Sequence, residues 1–221
     1  MDVVSNAHER ELKLKLRLAQ IEKNEFSQND FIGFVRTVWP DFIAGRHHKI
    51  IAEKLERVAR GELKRLIINM APRHTKSEFA SYLFPAWMMG RNPKMKIIQA
   101  THTTELAVNF GRKTKNLIDS DEYKAIFPEV KLAADSKASG RWDTSKGGMY
   151  YAVGVGSNLA GRGGDLVVID DPHSEQTAMS ANGFEDAWDW YTGGPRQRLQ
   201  PGGSIVLVQT RWSEKDMTGQ L

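Results

Sequence analysis

The segment Leu66-Ile67-Ile68-Asn69-Met70-Ala71-Pro72-Arg73-His74-Thr75-Lys76-Ser77 decides how this chain is read. Its first five residues are a short apolar run of the buried-strand type. A loop follows, and Lys76-Ser77 opens a stretch whose pattern is helical to about Met89. A nucleoside triphosphate needs this order of parts: loop N–H groups around the phosphates, a lysine on the outer phosphate oxygens, and a hydroxyl on Mg²⁺. The common form of such a loop is G-x-x-x-x-G-K-[ST]. Here Met70 stands at the first glycine position and Thr75 at the second. Taken alone, the segment therefore leaves a second reading open, in which Thr75 is an ordinary helix N-cap.

Working outward, the same alternation repeats. Lys96–Ala100 reads as a second strand and Thr104–Asp119 as a helix, and Met149–Val153 is strand-like. Leu166-Val167-Val168-Ile169 is a clear buried strand ending in Asp170-Asp171, and Ser204–Val208 is another, ending in Gln209-Thr210-Arg211-Trp212. A helix is expected over about Ala178–Tyr191, and about 130–148 is read as irregular. Upstream, helices are expected over 7–23 (Leu12, Leu16 and Ile21 on one stripe), 28–38, and His48–Arg60, the last closed by Gly61. Apolar strands alternating with helices predict an α/β fold, a mostly parallel central sheet with helices on both faces. In such sheets chemistry collects at the carboxyl ends of the strands, where each of these polar clusters falls.

Composition supports this class. Of 221 residues, 40% are hydrophobic, 26% charged and 9% aromatic, with no cysteine, which excludes disulfide scaffolds and thiolate metal sites. No apolar run approaches the roughly 20 residues of a membrane span. Charge is uneven. Residues 61–118 carry ten Lys/Arg against three Asp/Glu, and 165–190 carry seven Asp/Glu and no Lys/Arg. A basic half beside an acidic block suits a site that handles a polyanion with a divalent metal.

Two adjacent carboxylates at a strand end raise each other's pKa unless a cation or hydrogen bonds hold them. Asp170 and Asp171 therefore pair naturally with the Lys76-Ser77 loop: one carboxylate for the Mg²⁺ shell, the next for the attacking water. The histidines His47, His48, His74, His102 and His173 lack metal-ligand spacing.

Together the deviant phosphate loop, the segment Gly161-Arg162-Gly163-Gly164-Asp165-Leu166-Val167-Val168-Ile169-Asp170-Asp171 and the Gln209-Thr210-Arg211-Trp212 motif resemble the ATPase domain of the large terminase subunit of tailed bacteriophages, over about residues 30–215. The resemblance implies a P-loop NTPase core of the ASCE, RecA-like kind, with ATP and Mg²⁺ as cofactors. It implies that Pro72, Arg73, His74, Thr75, Lys76, Ser77 and Thr210 contact the nucleotide, and that Ser77 and Asp170 hold Mg²⁺. Asp171 falls where that family more often has Glu as the catalytic carboxylate, with Glu175 as the alternative base. Thr210 falls on the motif coupling hydrolysis to movement. Arg162 resembles the finger that a neighbouring subunit inserts, with Arg73 its rival acting in cis. Trp39-Pro40-Asp41-Phe42 with His47-His48 resembles the adenine-pocket segment, the other reading being core packing by Trp39 and Phe42.

The implied partners are double-stranded DNA, the portal protein and the small terminase subunit. The implied assembly is a homo-oligomeric ring on the portal, or a monomer in isolation, with no membrane. The implied place is the cytoplasm of the infected bacterial host and, transiently, the procapsid portal vertex. Arg112, Lys113 and Lys115 are candidate DNA-phosphate contacts. The expected organisation is an N-terminal helical arm over 1–25 and an ATPase domain over 26–221, without the family's nuclease domain. Two alternatives share these residues: a helicase-like DNA-dependent ATPase, and a nucleotide-gated binding or assembly module with little turnover.

Overall fold

The computed structural model describes residues 2–136 and 138–221. Its centre is a six-stranded sheet built from β1 (Arg65–Asn69), β2 (Lys96–Thr101), β3 (Arg141–Asp143), β4 (Met149–Gly154), β5 (Gly164–Asp170) and β6 (Leu199–Gln209), in the order β1-β6-β5-β2-β4-β3. Every pairing is parallel except β3 with β4. The helices are α1 (Asp2–Asn29), α2 (Phe31–Val38), α3 (Arg46–Ala59), α4 (Phe84–Arg91), α5 (Thr104–Asp119), α6 (Asp121–Ile126), α7 (Glu175–Met179), α8 (Gly183–Gly193) and α9 (Met217–Gln220).

Side-chain alternation along the strands sorts the core into two layers. Ile97, Leu166, Val168, Val206 and Val208 face one side, packed with Phe31, Phe79, Phe84 and Trp87 from the helices that cover it. Ile98, Val167, Ile169, Ile205 and Leu207 face the other, under Ala187 and Tyr191 of α8 and Met217 of α9. Period-two patterning with both faces apolar requires such double coverage.

The structure departs from the sequence reading in several places. The run Leu66–Met70 is not a strand buried on both sides. β1 pairs only with β6, and its Ile67 is 41% exposed. The expected helix over 178–191 is two helices, because the chain breaks at 180–182 and Gly183 packs against α7. A Cβ there would lie 2.2 Å from the Thr177 carbonyl oxygen. The stretch read as irregular contains β3, fixed by Trp142, whose ring stacks on Tyr150 at 4.9 Å and whose Nε1 donates to the Gly111 carbonyl. The two N-terminal helices meet later than expected. α1 runs on to Asn29, and Asp30 caps α2 by accepting from the Gly33 N–H. Gly61, at φ 75°, lies just past Arg60, the residue that ends α3.

The helix after the loop 70–75 begins at Lys76 and widens to a π-helix over Glu78–Leu83 before α4. Pro85 explains the change. It has no N–H to donate and would clash with the carbonyl four residues back, so the turn before it opens, and the Phe84 N–H reaches the Phe79 carbonyl five residues back.

α1 joins the body only near its end. Asn24 donates to the Ala125 carbonyl, Gln28 to the Ile126 carbonyl, and the Ser27 carbonyl accepts from Trp87. Leu12, Leu14, Leu16, Leu18 and Ile21 are exposed. Among the described residues no helix is long and apolar enough to cross a membrane.

Trp142 ties β3 to α5 and β4, so Trp142→Ala should lower the unfolding free energy by about 3–5 kcal/mol in urea denaturation. A loss below about 1 kcal/mol would fit only a surface position.

Candidate functional site

Three neighbouring strands, β1, β6 and β5, deliver their carboxyl ends to one place, and each ends in polar residues. The loop after β1 brings Lys76, which is buried (5% exposed), and its Nζ lies 2.9 Å from Asp171 Oδ2 at the end of β5. The same ammonium donates to Thr210 Oγ1, 3.1 Å away, just past β6. The Thr210 N–H donates to Asp171 Oδ1 at 2.6 Å. Asp171 itself sits at φ 40°, its N–H bonded to the Val208 carbonyl. Its carboxylate is thus held by the segment after β1 and by the end of β6.

Asp170 lies on the side of β5 that carries Leu166 and Val168. It is 2% exposed and accepts from Ser77 Oγ (3.1 Å) and Ser81 Oγ (2.7 Å), one on each oxygen. Burial pushes its pKa up to about 6, and the Asp171 charge adds to this, while Ser81, Ser77 and Lys76 pull the other way. A buried carboxylate held by two hydroxyls lacks a full counter-charge. One buried carboxylate oxygen beside a serine hydroxyl is an oxygen-donor set suited to Mg²⁺, which takes few protein ligands and fills its octahedron with water and phosphate. Among the described residues there is no cluster of three or more His, Asp or Glu that could hold a metal alone.

The loop from Pro72 to Thr75 is built without glycine, yet Arg73 (φ 63°) and Thr75 (φ 61°) both take the left-handed conformation. Left-handed residues alternating with ordinary ones turn successive N–H groups toward a shared anion. Pro72, Arg73 and His74 are exposed, and His74 Nδ1 lies 2.9 Å from the Pro72 carbonyl. The side-chain N-cap reading of Thr75 is not what the structure has. Its hydroxyl bonds to the His74 carbonyl and to His48, not to a backbone N–H of the helix. Phe42 packs behind the loop against Trp39, His48 and Phe79, and His47 stands near His74.

The structure thus gathers Lys76, Ser77, Asp170, Asp171 and Thr210. It does not bring Arg162 or Glu175 to them. The Arg162 guanidinium lies 3.9 Å from the ring centre of Tyr151 on β4. Tyr151 packs with the layer opposite Asp170, and β4 is two strands from β5, about 10 Å across the sheet. Glu175 is exposed in the first turn of α7. Among the basic candidates, Lys113 pairs with Glu78, Lys115 donates to the Ser136 carbonyl, and exposed Arg112 donates to Asn109.

Sequence reasoning missed Ser81 and Asp216. Ser81 lies one helical turn after Ser77, a spacing that could have revealed it. Buried Asp216 accepts from Arg211 Nε and the N–H groups of Trp212, Ser213 and Gly219, closing the loop beyond Thr210. His102 Nδ1 also reaches the Asp171 carbonyl at 3.2 Å.

Comparison with known proteins agrees with the resemblance carried by the motifs. No protein-family model matches the sequence. The chain is 24% identical, over 165 residues, to the large terminase subunit of Enterobacteria phage T3, covering 73% of this chain and 28% of that protein. It matches the crystal structure of the HK97 bacteriophage large terminase with a TM-score of 0.59 at 10% identity, over 87% of this chain and 40% of the other. The chain thus spans under half the length of either relative. Its fold is that of the HK97 large terminase over the matched residues, and the mostly parallel sheet covered by helices is consistent with a P-loop NTPase core.

Asp170 yields a pH test. The folded chain keeps its proton to about pH 6, whereas the ordinary value is 3.8, so stability falls as pH rises through that window. In chelator, Asp170→Asn should be more stable than the native chain above pH 6 by about 1–3 kcal/mol, the gap closing toward pH 4, as read from urea midpoints. A gap that does not change with pH would contradict the buried-charge account.

Proposed function

We propose that this chain is the ATP-hydrolysing motor domain of a viral DNA-packaging terminase, with residues 1–25 an arm and 26–221 the motor. One observation carries the reading: Lys76, Ser77, Asp170, Asp171 and Thr210 converge at the carboxyl ends of three adjacent strands, in the roles that triphosphate chemistry needs. Similarity to the large terminase subunits of phage T3 and HK97 supports the choice of motor.

In this reading the loop 72–75 presents its N–H groups to the phosphates, and Lys76 neutralises their outer oxygens. Ser77 and Asp170 hold Mg²⁺, which supplies charge neutralisation between the outer phosphates when bound. Phosphate oxygens compete with Asp171 for the Lys76 ammonium. Lys76 moving to them leaves Asp171 Oδ2 free to accept a proton from the attacking water, while the Thr210 N–H holds Oδ1 in place. That same N–H ties the acid to the segment beyond β6. A change at Asp171 is passed to Thr210, and through Arg211 and Asp216 to the chain that follows.

Arg162, across the sheet from its own Asp171, serves the site of a neighbouring subunit in a ring, where such a finger is worth about 10³–10⁵ in rate. Arg73, exposed in the loop, is the cis alternative. Double-stranded DNA is the translocated partner, with exposed Arg112 a candidate contact to its phosphates. The portal protein and small subunit are the assembly partners, in the host cytoplasm and at the portal vertex.

A second reading is favoured by Asp171 itself. Aspartate is one methylene shorter than the glutamate of the family, and both its oxygens are occupied. A site that binds nucleotide but turns over little would then gate assembly.

Mg²⁺-dependent ATP turnover per subunit separates the readings. The motor predicts turnover that climbs with protein concentration, is lost in Lys76→Ala, and in Arg162→Ala stays flat and at least about 10³-fold lower. Turnover indistinguishable from Lys76→Ala at every concentration would favour the gating module. Turnover independent of concentration and intact in Arg162→Ala would remove the trans finger.

A further inference from the structure

Thr75 is a β-branched residue at φ 61°, where the common phosphate loop has glycine. Such residues are outliers in the left-handed region, and something must hold them there. The holder is visible in the structure. His48, the third residue of α3, is 7% exposed, and its Nε2 lies 2.5 Å from Thr75 Oγ1. Its other nitrogen, Nδ1, accepts the Gly45 N–H at 2.9 Å. That acceptor role fixes the ring as the neutral tautomer with its proton on Nε2, so Nε2–H donates to the threonine. Thr75 passes its own hydroxyl proton to the His74 carbonyl at 2.6 Å, so each polar atom of the pair has one partner of the right kind. The ring is wedged between Phe42 (centroids 4.9 Å apart) and Phe79 (5.0 Å), which leaves it no room to swing away. Burial, and then the neighbouring His47, lower its pKa and keep it uncharged.

We propose that His48 is a positioning residue for the phosphate loop: its hydrogen bond holds Thr75 in the left-handed conformation that glycine adopts unaided, and so replaces the missing loop glycine. The proposal rests on the nucleotide-site reading for its purpose, but the pin itself is a property of the fold. The loop's Lys76 follows Thr75 directly, and the Thr75 carbonyl accepts the Phe79 N–H that starts the helix. Releasing Thr75 would therefore displace both the lysine and the first helical turn.

The test is a double-mutant cycle on the full chain, using His48→Leu and Thr75→Gly, separately and together. Two readouts are taken: the thermal midpoint, and titration with fluorescent ADP in Mg²⁺. If the pin exists to hold a non-glycine residue, its removal matters only while Thr75 is present. In the native background His48→Leu should weaken ADP binding about tenfold and lower the midpoint by about 3–6 °C. Added to Thr75→Gly, it should weaken binding less than about twofold further and shift the midpoint by no more than about a third as much. His48→Gln, which keeps a donor at the Nε2 position, should retain most of the native behaviour. Equal losses in both backgrounds, or a His48→Gln as impaired as His48→Leu, would make His48 a core residue and overturn the proposal. If no variant, the native chain included, binds ADP while the midpoints still couple, the pin stands and the nucleotide reading falls instead.

Discussion

A carboxylate buried to 2% exposure on the underside of the sheet is the constraint around which the site is arranged. Asp170 cannot stay ionised there without donors, and the two it has, Ser77 and Ser81, come from the helix that follows the loop 70–75. The helix must therefore cross directly over the end of β5. Lys76, at the start of that helix, then meets Asp171. The widened turn over Glu78–Leu83 and the proline that forces it lie in the same stretch, so the helix's irregularity and its grip on Asp170 belong to one segment. The second hydroxyl, from Ser81, offsets part of the cost of burying that charge.

The second constraint is conformational. Arg73, Thr75 and Asp171 are the non-glycine residues with positive φ among those described, and all three stand at the site. Two of them have fixed partners, whereas Arg73 is exposed. Asp171 is held by Lys76, Thr210 and the Val208 carbonyl, and Thr75 by His48. Strained backbone persists only where surrounding contacts over-determine it. Here those contacts come from α3, the segment after β1, and β6, which are far apart in the chain, so the strain at Thr75 and Asp171 can be kept only by the complete fold.

Much of the fold and part of the site could be read directly. The apolar runs at Ile97, Leu166 and Ile205 each became parallel strands because residues buried on both faces leave no polar alternation to mistake. Lys76, Ser77, Asp170, Asp171 and Thr210 were legible because strand ends in such sheets point their loops the same way. The edge position of β1 was not, since Leu66–Met70 looks the same whether one neighbour or two flank it. β3 escaped notice because three residues anchored by one tryptophan carry no period. The break between α7 and α8 depends on how closely Gly183 approaches Thr177, a distance no pattern encodes.

Sequence alone determined the α/β class, the order of the polar clusters and the chemical type of each, because hydrophobic period and strand-end placement are local properties. Only the tertiary structure decided what each cluster touches. It gave Asp170 and Asp171 different partners, placed Arg162 against Tyr151 on a strand two away from β5, and brought His48 to a loop 27 residues away. Those outcomes depend on strand order, helix crossing and burial, which arise only when distant segments share one core.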